Sequence, residues 1–250
     1  MKACRKTRLR RGSATFAWIA IVAFVAFAPA VARAQAHPRA AASAKASENT
    51  DDSSLKAIGS KSAPITMEVF SDYECPSCRA LYEQTLRPMI DEYVAAGKVY
   101  IVHRDFPLPM HKYGYQAARW VNAAAKIGHF AEVEQALYDN QAAWSVDGNI
   151  AKFVASALTP ADFKRVSKMM EACQAEAPGV QPASDARGAQ SAHGCPFDAS
   201  IERDKALGNT VPVTATPTFR FFYKGQTYGP TSGFVSWPLL KQFLDQVLSQ

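Results

Sequence analysis

The sequence contains two cysteines, Cys75 and Cys78, separated by two residues. Their type and spacing make them the strongest candidates for reactive residues. They follow an apolar run from Ile65 to Phe70 and begin a stretch in which apolar residues have helical spacing. A helix N-terminus carries partial positive charge and unpaired N–H groups, which stabilise a thiolate. The arrangement predicts thiol-disulfide exchange, in which Cys75 is the nucleophile and Cys78 attacks the mixed disulfide to release the partner.

The elements predicted around this pair are those of an α/β fold. Residues 65–70 form a strand, the helix after Cys75 ends before Gly97, and Lys98 to His103 form a second strand. Because a strand, a helix and a strand of these lengths form a crossover unit, we expect the two strands to be parallel. From Tyr113 to about Leu207 the apolar spacing is helical, which indicates an all-helical insertion.

The last part of the chain predicts a hairpin and a closing helix. The hairpin has strands at residues 218–223 and 226–228, and the helix runs from about Trp237 to Leu248. Together with the two earlier strands, the hairpin completes a sheet that we expect to have four strands.

The first residues have the pattern of an export signal. Six basic residues up to Arg11 precede a mostly apolar run, and two overlapping small-x-small sites allow cleavage after Ala34 or Ala36. Residues 14–32 also approach the shortest length of a membrane-spanning helix, so an uncleaved anchor is the alternative. We therefore expect a periplasmic or otherwise extracytoplasmic protein.

The charge composition gives no reason to expect a nucleic-acid partner. The sequence has 28 Lys and Arg against 22 Asp and Glu, a formal net charge of +6. Seven of the basic residues and none of the acidic ones lie in residues 1–34, which leaves 21 basic against 22 acidic residues. The positive excess therefore belongs to the leader.

Three motifs, taken in order, carry a family resemblance. They are Phe70-Ser71-Asp72-Tyr73-Glu74-Cys75-Pro76-Ser77-Cys78, then Asp105-Phe106-Pro107-Leu108 with His111 soon after, and finally Ala215-Thr216-Pro217-Thr218-Phe219. Over roughly residues 61–249 the sequence resembles the DsbA-like branch of the thioredoxin superfamily. The resemblance implies an α/β fold, namely a thioredoxin fold with an inserted all-helical domain.

The pattern along the chain and this resemblance predict five regions. They are a signal peptide at 1–34, a flexible spacer at 35–60, the N-terminal part of the thioredoxin fold at 61–110, the helical insertion at 111–208, and the C-terminal part at 209–250. The folded part is thus expected to begin near Lys61. About 215 residues remain after the signal, which suffice for one domain with a large insertion.

Pro217 is implied by the resemblance to follow a cis peptide bond that faces the cysteines. Such a proline presents the backbone of Thr216 as a docking edge for an extended substrate. The alternative is that Pro217 starts a strand in trans. Between the cysteines, Pro76 suits the first turn of a helix and Ser77 offers a small hydroxyl. We predict that Pro76, Ser77, Thr216 and Pro217 bind substrate.

Two departures from the family's pattern concern redox strength. Strongly oxidising relatives usually have a His where Ser77 stands, and its positive charge helps to hold the thiolate. Many relatives also have an acid on the preceding strand, where this sequence has Val69 and, one position earlier, Glu68. Because adjacent strand residues face opposite sides, this shift argues against a proton relay from Glu68 to Cys78.

Three further titratable residues are expected to have no catalytic role. Glu74 is expected to be a solvated surface residue, although its charge would raise the pKa of the neighbouring Cys75. His103 and His111 are expected to be structural residues that form hydrogen bonds.

The other two cysteines of the exported chain, Cys173 and Cys195, suggest a second pair. An even number of four cysteines, once the leader that carries Cys4 is removed, is typical of an oxidising compartment. We predict a structural disulfide between Cys173 and Cys195 within the insertion. A second redox pair and two buried free thiols are the alternatives.

These observations lead to the hypothesis of an exported oxidoreductase that forms disulfide bonds in extracytoplasmic proteins. The expected partners are unfolded or reduced exported proteins, and either a membrane quinone-linked thiol oxidase, as the resemblance implies, or an exported electron donor. No metal or organic cofactor is expected, and the protein is expected to be a monomer.

Two other functions remain open at this point. One is a reductase or isomerase of the same fold, since the sequence does not fix the direction of exchange. The other is a protein that binds Cu(I) or Zn through the two thiolates, with His103 as the ligand that the fold could add.

Overall fold

The computed structural model describes residues 52–173 and 195–250. The predicted signal peptide, most of the predicted spacer and the residues between Cys173 and Cys195 lie outside the described residues. In the described ranges the strands are β1 (Ala57–Ile58), β2 (Ile65–Ser71), β3 (Val99–Asp105), β4 (Thr218–Tyr223) and β5 (Gln226–Ser232).

The helix that follows Cys75 alternates α-helical and π-helical turns. Its parts are α1 (Pro76–Leu81), a π segment (Tyr82–Leu86), α2 (Arg87–Met89) and a second π segment (Ile90–Val94). Proline suits the first position of α1, because the N–H that it lacks would have no partner within the helix. After the last turn the chain reverses at Gly97, whose φ of +68° is easily adopted by glycine, and enters β3.

The segment between β3 and β4 is helical, as predicted. Its helices in the described residues are α3 (Gly114–Ala125), α4 (Phe130–Asp139), α5 (Gln141–Asp147), α6 (Ile150–Ala157), α7 (Pro160–Met170) and α8 (Asp198–Thr210). The closing helix α9 (Trp237–Leu248) follows β5. None of the helices in residues 52–173 and 195–250 combines the length and the apolar character needed to cross a membrane.

The strands form one mixed sheet in the order β1-β3-β2-β4-β5. β2 and β3 are parallel, as predicted, and Ser71 at the end of β2 pairs with Asp105. β4 is antiparallel to β2, and β5 is antiparallel to β4. The expected number of four strands is wrong for the described residues, because Ala57 and Ile58 add a short antiparallel strand to β3. Two residues are too few to show a strand pattern in the sequence.

The described fold also begins earlier than the expected residue 61. Asp52–Lys56 form a 3₁₀ helix, and the side chain of Lys56 is 1% exposed between Asp105 and Asp204. A lysine in a polar, alanine-rich stretch is normally solvated, so no local pattern indicated this burial. The carboxylates that compensate its charge lie far away in the sequence and meet it only in the fold.

The cysteines follow the C-terminal end of the central strand β2. Six of the seven residues of β2 are buried, and the chain passes directly from β2 to the segment that holds Cys75. The Ser71 carbonyl accepts a hydrogen bond from the Phe106 N–H group at 2.8 Å, and Phe70 pairs with Thr218 at the start of β4. The ends of β2 and β3 and the start of β4 therefore meet at the cysteines.

Candidate active site

Cys75 occupies the N-terminal cap of α1, as the sequence predicts, and 6% of its surface is exposed. Its pKa is lowered to about 5. The largest cause is the hydrogen bond from the Cys78 side chain; burial opposes it, and the N–H groups of Cys78 and Ser77 add to it. Cys75 is therefore a thiolate at neutral pH when the pair is reduced.

Cys78 lies one turn further along α1 and is 2% exposed. Burial raises its pKa well above the usual range, and the negative charge of Cys75 raises it further. Its Sγ lies 3.5 Å from the backbone nitrogen of Asp72, and the Asp72 N–H group and the Ser71 hydroxyl offset part of the rise in its pKa. The two cysteines are free thiols in this structure, and they differ strongly in how readily they ionise.

Thr216, one of the predicted docking residues, lies beside the Cys75 sulfur. The Thr216-Pro217 peptide bond is cis, and Cys75 Sγ lies 3.3 Å from the Thr216 carbonyl oxygen. The Pro217 carbonyl accepts a hydrogen bond from the Gly233 N–H group at 2.7 Å, which holds this turn against the loop after β5. Pro76 is exposed and Ser77 is half-buried, so the outer side of the motif is open to a partner.

Asp72 joins the cysteine segment to the loop after β3, a role that the sequence did not reveal. Its carboxylate is fully buried and accepts hydrogen bonds from the Glu74 N–H at 2.9 Å and the Leu108 N–H at 2.7 Å. It also lies 2.6 Å from Nδ1 of His111, and this hydrogen bond raises the His111 pKa. His111 thus forms the kind of hydrogen bond expected of a structural residue, and the nearby charge of Cys75 also raises its pKa. The one sequence feature that could have pointed to Asp72 is its place in the motif from Phe70 to Cys78.

The expectation that Glu74 is solvated is wrong. It is half-buried, and its carboxylate accepts a hydrogen bond from the Tyr113 N–H group beside the start of α3. The first N–H groups of a helix have no partner within the helix, which explains the contact. Burial raises the Glu74 pKa, while the N–H groups of Tyr113 and Gly114 partly offset it.

Two helices of the insertion also contribute to the site. Gln141, the first residue of α5, donates to the carbonyl oxygens of Tyr73 at 2.7 Å and Cys75 at 3.0 Å. Tyr138 in α4 places its hydroxyl 2.7 Å from that of Ser71. Sequence reasoning missed Gln141, Tyr138 and Ser71 as site residues, because more than sixty residues separate the partners and no local pattern links them.

Glu68 belongs to the other face of β2, which agrees with the argument against a relay. It forms ion pairs with Arg104 at 2.7 Å and Arg220 at 2.6 Å. Met67 and Val69 pack in the same core as the cysteines, and the alternation of the strand directs Glu68 to the opposite side.

His103 lies with Glu134, Asp105 and Tyr73 and not with the cysteines, so the structure gives no support to the alternative in which it completes a metal site. Its Nδ1 lies 2.9 Å from Glu134, its Nε2 lies 3.5 Å from Asp105, and its ring stacks on Tyr73. Burial lowers its pKa, but the nearby carboxylates of Asp105 and Glu134, the second of which is hydrogen-bonded to the ring, raise it to about 9. The described residues contain no group of three or more His, Cys, Asp and Glu suited to a metal ion.

Cys173 and Cys195 are joined by a disulfide in the structure, with an S–S distance of 2.04 Å. Both residues are buried. The bond connects the short 3₁₀ turn after α7 (Glu171–Cys173) to the residues just before α8.

Comparison with known proteins gives a family and a fold. Residues 50–230 match the family described as Thioredoxin, which covers most of the chain. A curated relative, the Na(+)/H(+) antiporter NhaA 3 from Salinispora tropica, is 33% identical over 84 residues. This match covers 33% of the chain but only 12% of the antiporter, so it gives no indication of the chain's activity.

Solved structures share the architecture at low sequence identity. Alpha-DsbA1 from Wolbachia pipientis is 19% identical with a TM-score of 0.55, and the match covers 78% of this chain and 90% of that one. Oxidised BdbD from Bacillus subtilis is 18% identical with a TM-score of 0.56, covering 78% and 93%. A thioredoxin-like oxidoreductase from Silicibacter pomeroyi DSS-3 is 21% identical with a TM-score of 0.51, covering 81% and 99%. The predicted fold class, an α/β thioredoxin fold with a helical insertion, is confirmed.

Proposed function

The chain belongs to the thioredoxin family, and from that premise we propose that it is an exported, DsbA-like oxidoreductase that forms disulfide bonds through Cys75 and Cys78. The observation that carries the proposal is the contrast between the two cysteines. The pKa of Cys75 is lowered to about 5, whereas burial raises that of Cys78. One stabilised thiolate beside one protected thiol suits attack followed by resolution.

The proposed reaction starts from the Cys75–Cys78 disulfide. A substrate thiolate attacks the Cys75 sulfur, the bond to Cys78 breaks, and Cys78 leaves as a thiolate that takes up a proton. A second substrate thiolate then attacks the substrate sulfur of the mixed disulfide and releases Cys75 as a thiolate. The substrate has lost two electrons and gained a disulfide, and the two cysteines have become a reduced pair.

The stabilised thiolate favours the oxidising direction. A thiol with a low pKa is a good leaving group, and stabilising the reduced form makes the disulfide a stronger oxidant. The pKa of Cys75 lies between the values of about 7 for thioredoxin and about 3.5 for DsbA. The helix N-terminus and Cys78 thus supply part of the stabilisation that a His at the position of Ser77 gives in other proteins.

Several exposed side chains near the site suit a protein substrate. Met110 is 78% exposed, Val146 is 79% exposed and Phe234 is 43% exposed. Met110 precedes His111, Val146 lies in α5, and Phe234 follows the glycine that bonds to Pro217. Unfolded chains offer apolar side chains and free backbone groups, so we propose that they dock here and at Thr216-Pro217.

The remaining parts of the proposal come from the sequence. We propose that residues 1–34 direct export and are removed, with an anchor at residues 14–32 as the alternative. The partners are reduced exported proteins and a membrane quinone-linked thiol oxidase, or an exported electron donor if the direction is reversed. The monomeric state and the region boundaries at residues 110 and 208 stay predictions.

The reduction potential of the Cys75–Cys78 pair tests the proposal. The protein without residues 1–34 is equilibrated with glutathione buffers, and mass spectrometry of alkylated peptides reports each cysteine pair separately. We expect a potential nearer to about −120 mV, that of a disulfide donor, than to about −270 mV, that of thioredoxin.

The controls separate the two cysteine pairs. Cys75→Ser should abolish exchange with a reduced test protein, while the Cys173–Cys195 bond should remain intact. A potential near about −270 mV would reverse the proposed direction. If no reversible Cys75–Cys78 couple exists, the protein is not an oxidoreductase of this kind.

A further inference from the structure

Gln141, the first residue of α5, connects the insertion to the segment that carries Cys75. Its side-chain amide nitrogen donates to the Tyr73 carbonyl oxygen at 2.7 Å and to the Cys75 carbonyl oxygen at 3.0 Å. Gln141 is 4% exposed, and Tyr73 and Cys75 are buried as well. The reaction steps described above give this buried amide no part.

The two hydrogen bonds use the whole donor capacity of the amide. A glutamine NH₂ group has two protons, and each of the two carbonyls receives one of them. The carbonyls belong to the residues on either side of Glu74, so one planar group fixes two points of the chain just before α1 begins. A rotation of the backbone at Glu74 would break at least one of these bonds.

Both carbonyls need a donor that the cysteine segment does not supply alone. The Arg79 N–H group donates to the Cys75 carbonyl at 3.1 Å as the first bond of α1, and Gln141 occupies the remaining acceptor position. Tyr73 lies in the turn that the Cys75 N–H group closes on the Asp72 carbonyl at 3.1 Å. A buried carbonyl of a turn needs a partner from elsewhere in the fold, and here the insertion supplies it.

The helix that carries Gln141 is itself firmly held. Trp144, one turn further along α5, is 0% exposed and donates from Nε1 to the Leu137 carbonyl of α4 at 2.7 Å. Asn140, which precedes α5, donates to the Ala136 carbonyl of α4 at 2.8 Å. Gln141 therefore projects from a packed helix, which is the kind of support that accurate positioning requires.

We propose that Gln141 is a positioning residue: its amide fixes the backbone before α1 and keeps the Cys75 sulfur beside Thr216. This sulfur lies 3.3 Å from the Thr216 carbonyl oxygen, although the two residues belong to distant parts of the chain. A substrate that pairs with Thr216 can meet the sulfur in line only if the backbone of Cys75 keeps its place. The inference rests on the proposed function and adds a residue to it.

The loss of the amide should have two consequences that can be measured separately. A sulfur held less firmly at the start of α1 gains less from the N–H groups there, so the pKa of Cys75 should rise. A sulfur displaced from Thr216 should also react more slowly with a partner that docks. The second consequence does not follow from the first, because a fully ionised thiolate of higher pKa is the stronger nucleophile.

Gln141→Met removes the donor and retains a side chain of similar length. Reduced protein is mixed with glutathione disulfide at about pH 8, where Cys75 is ionised, and acid quenching with mass spectrometry follows the loss of its thiol. In this step Cys75 forms a bond with one glutathione sulfur, and the other leaves as a thiolate. The rate should fall about 3- to 10-fold. With iodoacetamide, which needs no docking edge, the rate at the same pH should not fall.

The pH profile of alkylation by iodoacetamide gives the second readout. The midpoint for Cys75 should rise by about 0.5 to 1 pH unit in Gln141→Met, which is the scale of the effect of a helix N-terminus. Gln141→Glu retains the shape of the side chain, but its ionised form offers no proton to the two carbonyls. At about pH 8 it should slow the reaction with glutathione disulfide at least as much as Gln141→Met does.

Gln135→Met is the matched control. Gln135 is an exposed residue of α4, and its amide nitrogen lies 3.5 Å from Asp139 on the same helix. The same substitution there should leave both rates and the alkylation midpoint unchanged. Gln141→Asn retains an amide on a shorter side chain and replaces Gln141→Met should that variant fail to fold. It should show the same changes to a smaller extent, because it cannot reach both carbonyls equally well.

Three results would overturn the inference: an unchanged rate with glutathione disulfide in the Gln141 variants, equal changes in Gln135→Met, or an equal loss of rate with iodoacetamide. These results leave the proposed function standing, because the unchanged protein would still exchange disulfides. Absence of a reversible Cys75–Cys78 couple in the unchanged protein would instead remove the proposed function, whereas the alkylation midpoints would still report on how Gln141 affects Cys75.

Discussion

Two buried polar regions border strands β2 and β3, and they stabilise charge in different ways. The redox site contains Cys75, Cys78 and Ser71. The charged cluster contains Lys56, Glu68, Arg104, Asp105, Asp204 and Arg220.

The charged cluster balances each charge with its opposite. Lys56 lies between Asp105 and Asp204, and Arg104 bonds to both Asp204 and Glu68. Three basic and three acidic side chains thus meet in one network. Burying charge is costly unless it is paired, and here every permanent charge has partners within the network.

The redox site stabilises its charge with neutral donors instead. The Cys75 thiolate is held chiefly by the Cys78 side chain and by N–H groups at the start of α1. This charge disappears whenever a disulfide forms, and a fixed cation would then be left buried without a partner. Neutral donors are tolerated in both redox states, so the difference between the regions reflects whether the charge is permanent.

The largest effect is expected from Lys56→Met. It leaves Asp105 and Asp204 without their buried cation, and breaking a buried pair costs about 3–5 kcal/mol. The free energy of unfolding in urea measures the loss. Lys126→Met is the matched control, because its pair with Asp52 is exposed and should contribute at most about 1 kcal/mol. Equal losses of unfolding free energy in the two variants would show that the buried ion pairs of Lys56 contribute no more stability than the exposed pair of Lys126.

The second prediction concerns His103, which contacts the charged cluster through Asp105 and the redox site through Tyr73. Its pKa in the fold is about 9 against an ordinary 6.5. A raised pKa gives stability that is fully present below pH 6.5 and lost as pH rises through 9, here about 3 kcal/mol. Urea unfolding of the oxidised protein at a series of pH values measures it.

The reduced protein and a variant serve as the controls for this pH dependence. The depressed pKa of Cys75 gives stability that is lost as pH falls through about 5, so reduction should oppose the His103 trend. His103→Gln should remove the decrease between pH 6.5 and 9 in the oxidised protein. A decrease that survives in this variant would assign the trend to another group.

The smallest effect is expected from removing the donor at Cys78. Alkylation of Cys75 should have its midpoint near pH 5, and Cys78→Ala should raise this midpoint by about one pH unit or more. Cys78→Ser retains a hydroxyl donor and should raise it less. The pH dependence of alkylation by iodoacetamide measures both. Equal midpoints in the three proteins would show that the helix N-terminus alone stabilises the thiolate.

Local patterns predicted those parts of the molecule whose partners are close in sequence or belong to regular elements. The parallel pairing of β2 and β3 followed from the crossover rule, and the helix start at Cys75 followed from the apolar spacing. The cis bond before Pro217 followed from the family resemblance. Glu74 was misjudged, because its burial depends on the position of α3, which no local pattern gives.

The sequence by itself determined the fold class and the order of the main elements, and it predicted which cysteines form the exchanging pair. These depend on spacing, which sequence records directly. The tertiary structure alone decided that Tyr138, Gln141 and Lys56 are buried against their partners. Such contacts bring together residues from distant parts of the chain, and their energies depend on burial and on geometry that only the folded chain creates.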